Sequence, residues 1–420
     1  METRAKRKFS AENYSGPRKV IVSRDFYWVE FIAFLRYSCE MSNHKEYVIN
    51  TDEQESLLKK FESRDDIEAT RIRKYLSMPD LSRTPGSPIH EVVQKTLDVK
   101  SLDGLDIIKI PEIISVDILF DLFNMPEGHP ARSKSDTYYV DDKHVLRTHD
   151  TVFWYYYLNL PEIKEKIARK ETIGAICFGK VYRKDEIDSR HMNVFHQIGG
   201  LYLTPDEKQT VLAEDLKGVL SDVAKSVFGE SVEFRFYDHN FPYTDPSFEM
   251  EAFINGQWIE MLGSGLPRKT VLKNFGLEGY NGWAFGFGIE RLAIASMSLP
   301  DIRLLWSEDP RVTKQFKIGQ KFVEVSKFPP VVRDISFVVK NDFVPNDYFD
   351  LVREIVPDMV EEVALIDKYE NSEKFGIGNI SYAYRVVYRS LDKTLTGEEV
   401  DTLHKKLETE TQRMYNAKIR

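Results

Sequence analysis

The stretch 178–200, FGKVYRKDEIDSRHMNVFHQIGG, constrains the fold of this chain most strongly. An apolar run, 173–181, ends in Arg183. A segment dense in both charges, 184–190, follows, and His191 and Phe195 lead into a second apolar run closing at Tyr202 and Leu203. Two such runs around a charged segment predict two strands joined by a solvent-facing loop. An arginine where the first strand ends and an aromatic on the second suit a nucleotide. The guanidinium grips phosphate oxygens in pairs, and a flat ring stacks on a base. A solvated hairpin with one structural ion pair fits the same residues, so the rest of the chain has to decide.

At 420 residues the chain has room for about two or three domains. Lys and Arg total 58 against 67 Asp and Glu, a net charge of −9. That balance argues against a nonspecific nucleic-acid coat and leaves room for a local basic face. Two cysteines, Cys39 and Cys177, are too few for a disulfide framework or a cysteine zinc site. A reducing interior fits, read as the cytoplasm with the mitochondrial matrix as the alternative. No apolar run approaches the roughly 20 residues of a membrane span. The opening METRAKRKFS carries Arg4, Lys6, Arg7 and Lys8 without the apolar core of a secretory signal, and reads as a basic tail.

Residues 1–80 combine that tail with an accessory segment: an apolar-aromatic run, 26–37, and a charged, loosely helical one, 52–75. A Pro/Ser/Gly-rich boundary, 78–88, comes next. Helices are expected over 88–97, 115–122 and 161–170 and a strand over 106–111, while the aromatic series 153–157 opens a further helix. Residues 210–228 place Val211, Leu212, Leu216, Val219, Leu220, Val223 and Val227 on one helical face. Strands follow over 232–236 and 241–254, and Asn255-Gly256 marks a hairpin turn into 257–262. The run 283–298 starts as a strand and becomes a helix at Ile289. Sequential antiparallel strands flanked by helices predict an α+β core. Neither a GxGxxG fingerprint nor a GxxxxGK loop occurs. From Ser326 the order strand, helix, two strands, long helix (397–415) and a short last strand predicts a ferredoxin-like domain.

Six segments then become specific in order: GHPARSKSDTYYV, GKVYRKDEIDSRHMNVFHQ, FPYTDPSFEME, WIEMLGSG, GWAFGFGIERLAIASMSLPDIRLLW and SKFPPVVRDISFVV. Together they resemble phenylalanyl-tRNA synthetases in their short single-chain, organellar-like form. The resemblance spans about 110–420. It implies a class II antiparallel catalytic sheet over 81–306, a linker over 307–325 and an anticodon-binding domain over 326–420. It also implies a self-sufficient chain, monomer or homodimer, acting on phenylalanine, ATP with Mg²⁺, and tRNA(Phe). A synthetase of this fold for another amino acid, or a non-catalytic tRNA-binding paralogue, remains the alternative.

On this resemblance Arg183 sits on the α-phosphate of ATP, where charge develops as pyrophosphate leaves. His191 approaches the adenine–triphosphate side, Phe195 stacks on adenine, and Arg291 takes the γ-phosphate. Glu249 and Glu260, on apolar strands, are candidates for Mg²⁺. Phe241 and Tyr243 hold the substrate ring, Ala284 closes the pocket at its para position, and Gly263 and Gly265 let backbone pass close to the ligand. His149, Thr151 and Gln197 hold the amino and carboxylate end. Tyr382, Tyr384, Arg385 and Arg389 are candidates for tRNA, with alternate members of that strand expected to be core. Three positions depart from the family's pattern: Gly199 replaces a Glu, Trp154 a Gln and Tyr243 a Phe. Asp150, or nearby Glu249, is then a candidate to pair with the substrate ammonium. The other reading of Asp150 is a cap for the aromatic helix.

Overall fold

The computed structural model describes residues 44–184, 188–356 and 359–420. The basic tail, Cys39, the aromatic run 26–37 and the loop acids Asp185 and Glu186 lie outside them. Elements of the first part run β1 (Glu46–Val48), α1 (Asp52–Glu62), α2 (Ile67–Ser77), α3 (Pro88–Leu97), β2 (Asp106–Lys109), β3 (Ile113–Ser115), α4 (Val116–Leu119) and β4 (His144–Leu146). They continue α5 (Phe153–Leu158), α6 (Pro161–Ala168), β5 (Ile173–Tyr182), β6 (Val194–Pro205), α7 (Ala213–Phe228), β7 (Glu233–His239), β8 (Thr244–Ile254), β9 (Gln257–Pro267), α8 (Lys269–Asn274), β10 (Tyr280–Gly288) and α9 (Ile289–Met297).

Eight of these strands form one sheet in the order β1-β2-β5-β6-β10-β9-β8-β7. The β1–β2 and β2–β5 pairs are parallel, and all later neighbours are antiparallel. Every position of β5 is buried, as a strand covered on both faces requires. Its Ile173, Ala175 and Cys177 join Phe153, Trp154 and Tyr157 of α5 in one apolar cluster. The amphipathic stripe of α7 buries Leu216, Val219, Leu220, Val223 and Val227, as its period predicts; Leu212 lies just before the helix and is exposed. Asn255 and Gly256, at φ of 52° and 81°, turn β8 into β9 as a tight hairpin needs. The strand expected to stop at Gly263 runs on to Pro267.

Residues 46–80, expected as a separate accessory segment, are part of this unit. β1 extends the sheet edge, Ser87 and Pro88 start α3 with a side-chain cap, and Ala69 and Ile72 of α2 are fully buried.

The remaining elements are α10 (Pro310–Thr313), β11 (Val331–Lys340), α11 (Pro345–Ile355), β12 (Val360–Glu370), α12 (Ser372–Phe375), β13 (Asn379–Tyr388), α13 (Gly397–Tyr415) and β14 (Lys418–Ile419). Their sheet has the order β12-β13-β11-β14, the expected ferredoxin-like arrangement. A Thr396–Glu399 capping box starts α13. The core joins Phe337 and Tyr384 of the sheet to Tyr348 of α11 and Leu407 of α13. The described residues divide into two compact units. One runs through Ser296 and takes in Pro300–Ile302; the other comprises Met297–Leu299 and Arg303–Arg420, so 307–325 groups with the second.

Candidate active site

The sheet of the first unit opens on one face into a cavity of about 610 Å³. Its walls come from the β5–β6 hairpin, the segment entering α5, the strands β8 to β10 and the start of α9. It brings together Arg183, His191, Phe195, Gln197, His149, Thr151, Phe241, Tyr243, Glu249, Glu260, Gly263, Ala284 and Arg291, with Asp150, Trp154 and Glu290 beside them.

One end is built for anionic and flat groups. Arg183 follows directly on β5. Its backbone N–H donates to Asn193 at 3.1 Å and its Nε to the Thr148 carbonyl at 2.9 Å, which seats the guanidinium 5.2 Å from the centre of the Phe195 ring. His191 is held by Asp188, with Nδ1 2.7 Å from its carboxylate. Arg291, in the first turn of α9, meets Glu260 at 2.8 Å.

Arg291 is placed by a network that sequence reasoning missed. The neighbouring Glu290 is buried, and its oxygens accept from the His196 backbone N–H at 2.9 Å. The His196 Nδ1 lies 2.6 Å from the same carboxylate, while Nε2 accepts from the Leu81 backbone N–H at 2.9 Å. With Nε2 an acceptor, the ring proton sits on Nδ1. β6, α9 and the turn at Leu81 are thereby pinned together. The one sequence signal was a glutamate between the apolar Ile289 and Leu292.

The other end is aromatic. Phe241 and Tyr243 stack at 5.7 Å and 8°, and Phe123 meets Tyr243, Trp154 and His149 edge-on. A Cβ on Gly263 would stand 2.8 Å from the Phe241 ring, so that glycine lets the ring lie across β9. Gly265 does not line the cavity. Its Cβ would strike the Pro246 carbonyl at 2.5 Å and Thr244 at 2.6 Å, so its size serves strand packing and not the ligand. Ala284 is nearly buried at the cavity wall.

Between the two ends lies the segment 148–151. Gln197 Oε1 accepts from the Asp150 N–H at 3.1 Å. Both ring nitrogens of His149 are buried without a hydrogen-bond partner; burial, then the nearby Arg183, holds this imidazole down to about 3, so it is neutral. Asp150 is only 2% exposed, and its Oδ2 is buried without a partner. Burial pushes this carboxyl up to about 7, against the pull of Arg147 and Arg183. It is not the helix cap: α5 is capped at Val152 and receives no side-chain hydrogen bond there.

Glu249 and Glu260 are not buried as the apolar character of their strands suggested. Their side chains are 30% and 50% exposed, and they pair with His239 and Arg291. The outer strands β7 to β9 leave this face open, so both carboxylates reach solvent. Among the described residues no cluster of three or more His, Cys, Asp or Glu could hold a metal. Two carboxylates opening into a cavity fit Mg²⁺ only when ligand phosphates complete its shell, which is how that ion is usually held.

In the second unit, Tyr382 and Tyr384 are core residues and not an RNA platform. Alternation along β13 turns them, with Ile380, Val386 and Tyr388, toward the helices. Arg385 lies on the opposite face in a two-bond pair with Asp334, both at 2.9 Å. Arg389 pairs with Glu361 at 2.8 Å and donates to the Phe328 carbonyl.

Comparison with known proteins agrees with this architecture. Residues 75–316 match the tRNA synthetases class II core domain (F), and 326–420 the ferredoxin-fold anticodon binding domain. The chain is 41% identical over 319 residues to the chloroplastic/mitochondrial phenylalanine–tRNA ligase of Arabidopsis thaliana, covering 73% of this chain and 71% of that protein. It is 34% identical to the mitochondrial phenylalanine–tRNA ligase of Mus musculus, covering 70% and 71%. It is 37% identical to the phenylalanine–tRNA ligase alpha subunit of Clostridium novyi, covering 57% and 72%. With both domain types present in order and this identity sustained over most of its length, the chain belongs to the phenylalanine–tRNA ligase family of class II aminoacyl-tRNA synthetases.

Proposed function

We propose that the chain activates phenylalanine with ATP and transfers it to the 3′ end of tRNA(Phe). One observation carries this reading: a single cavity joins an arginine–aromatic end, Arg183, Phe195 and Arg291, to a closed aromatic end, Phe241, Tyr243 and Ala284. The first end suits a nucleoside triphosphate, with Phe195 under the base and arginines from opposite walls on the phosphates. The second suits a phenyl ring. Between them the substrate carboxylate faces the α-phosphate.

The carboxylate oxygen attacks the α-phosphorus in line, and the bond to the β-phosphate oxygen breaks. Phenylalanyl-adenylate and pyrophosphate result. A terminal ribose hydroxyl of the tRNA then attacks the acyl carbon and AMP leaves. The protein forms no covalent bond in either step; it aligns the reactants and stabilises developing charge. Arg183 faces the α-phosphate and Arg291 the leaving end. Mg²⁺, held by Glu249, Glu260 and phosphate oxygens, would neutralise triphosphate charge. Charging of a tRNA transcript with a phenylalanine anticodon tests the whole reaction; a purified full chain that makes adenylate and charges no tRNA contradicts the transfer half.

Ala284 limits the ring's para position. Ala284→Gly is expected to admit tyrosine, raising its kcat/KM at least tenfold relative to phenylalanine, because one carbon in an apolar pocket discriminates by about 1–3 kcal/mol. Adenylate formation with each amino acid measures it, and an unchanged ratio removes Ala284 from the para position.

The chain carries both a catalytic and an anticodon-binding unit, which supports a self-sufficient single-chain enzyme, as monomer or homodimer. Of the relatives above, those of Arabidopsis thaliana and Mus musculus are named for chloroplasts or mitochondria. That gives the expected cytoplasmic location no support, and we place the chain in an organelle.

A further inference from the structure

Two glycines face each other across the centre of the sheet: Gly199 of β6 pairs with Gly286 of β10. Above them stands the Asp150 carboxylate. A Cβ on Gly199 would lie 2.5 Å from Asp150 Oδ2 and 2.9 Å from its Cγ. A Cβ on Gly286 would lie 3.4 Å from Oδ1. Any side chain on β6 at this point would occupy the space the carboxylate fills. The acid is almost wholly buried, lines the cavity, and leaves Oδ2 without a partner. Leaving a buried carboxylate unpaired costs free energy. Among the described residues no cation stands in ion-pair contact with it: the Nε of Arg183 donates to the Thr148 carbonyl and that of Arg147 to the Lys180 carbonyl. A ligand cation is the missing partner.

We infer that Asp150, admitted by Gly199 and Gly286, is the specificity-determining group that receives the α-ammonium of the amino acid. The inference rests on the aminoacyl-activating reading above. It explains the position of the acid between the aromatic end, where a ring sits, and Arg183, where the substrate carboxylate meets phosphate. A compact ammonium fits beneath a ring and beside one carboxylate and Gln197. A bulky or uncharged group there would leave Asp150 unpaired. The Gly199 site and the Asp150 site are alternative positions for one negative charge. Carboxylates on both cannot fit; with Asp150 shortened, the remaining tight neighbour of a Cβ on Gly199 is the Phe285 carbonyl at 3.0 Å, which must give by only a few tenths of an ångström.

Titration of the acid supplies a second readout. Arg147 and Arg183 face it as positive charges, and Cys177 and Tyr243 feel its charge, while His149 is neutral. Asp150 is raised to about 7, so it becomes neutral as pH falls through 7 and the ammonium loses its partner. The KM for phenylalanine should therefore rise by up to about tenfold per pH unit below 7.

Four proteins test this: the full chain, Asp150→Asn, Gly199→Glu, and Asp150→Ala combined with Gly199→Glu. Two probes separate the ends of the substrate: phenylalaninol keeps the ammonium without the carboxylate, and 3-phenylpropionate keeps the carboxylate without the ammonium. Asp150→Asn should raise the KM for phenylalanine at least 50-fold, leave that for ATP within about twofold, and abolish the rise below pH 7. It should lose phenylalaninol binding by calorimetry and keep 3-phenylpropionate binding. Gly199→Glu alone should lose phenylalanine affinity. The double variant should recover to within about tenfold of the full chain, a result that a merely structural role for Asp150 would not give. An unchanged phenylalanine KM in Asp150→Asn, equal losses for phenylalanine and ATP, or a folded double variant no better than Gly199→Glu would each overturn the inference. Failure of the underlying reading looks different: the unsubstituted chain itself would then bind neither phenylalanine nor phenylalaninol.

Discussion

Arg183→Ala should slow adenylate formation by about 10²–10³-fold, the usual cost of removing one preorganised group that stabilises transition-state charge. Arg183 follows directly on a strand buried at every position. Its Nε is committed to the Thr148 carbonyl and its plane lies over Phe195. The guanidinium is thus oriented before ATP arrives, so its loss falls mainly on the chemical step. The KM for phenylalanine should change only a few-fold. Arg183→Lys should recover little, because a point charge on a flexible stem does not reproduce the planar fork. Exchange of pyrophosphate into ATP measures both variants. An Arg183→Ala enzyme retaining more than about a tenth of the full rate would move the α-phosphate contact elsewhere.

Ending the chain after Val325 should leave activation within a few-fold of the full chain and lower kcat/KM for tRNA charging by on the order of 10³-fold. That loss corresponds to about 4 kcal/mol of tRNA recognition. The two activities separate because the units have separate apolar cores. One cluster is drawn from residues between Ile108 and Ala284, the other from Ile335 to Ala417. Only the first surrounds the cavity. Single substitutions in the second unit report less directly. Tyr384 is fully buried among Phe337, Tyr348 and Phe349, so its replacement would disturb folding. Charging by the truncated chain at the full rate would remove anticodon recognition from the last hundred or so residues.

These outcomes depend on features that were unequally visible in the sequence. The β5–β6 hairpin, the amphipathic helix α7 and the Asn255-Gly256 turn follow from local chemistry, and the structure has them at the expected places. The C-terminal helix 397–415 matches to the residue. The faces of β13 were harder. A period of two fixes that Tyr382 and Tyr384 lie together, but which face is covered depends on α11 and α13. Glu249 and Glu260 looked buried because their sequence neighbours are apolar, yet no layer of the described residues covers that side of β8 and β9 enough to bury them. The His196–Glu290 pair spans 94 residues, and no local period announces a contact of that range. Gly265 read as a ligand contact because small residues serve ligand approach and strand packing alike. Asp150 carried two readings, cap and ammonium partner. The empty cap at α5 removes the first, and the second is the proposal made above.

The central claim is that one cavity activates phenylalanine. Its most direct measurement is pyrophosphate exchange into ATP by the purified full chain, run separately with each of the amino acids. The account predicts exchange that depends on phenylalanine, with tyrosine at least about tenfold poorer in kcat/KM, the discrimination an apolar pocket closed by Ala284 provides. Exchange driven by a different amino acid, or none with phenylalanine, would contradict it.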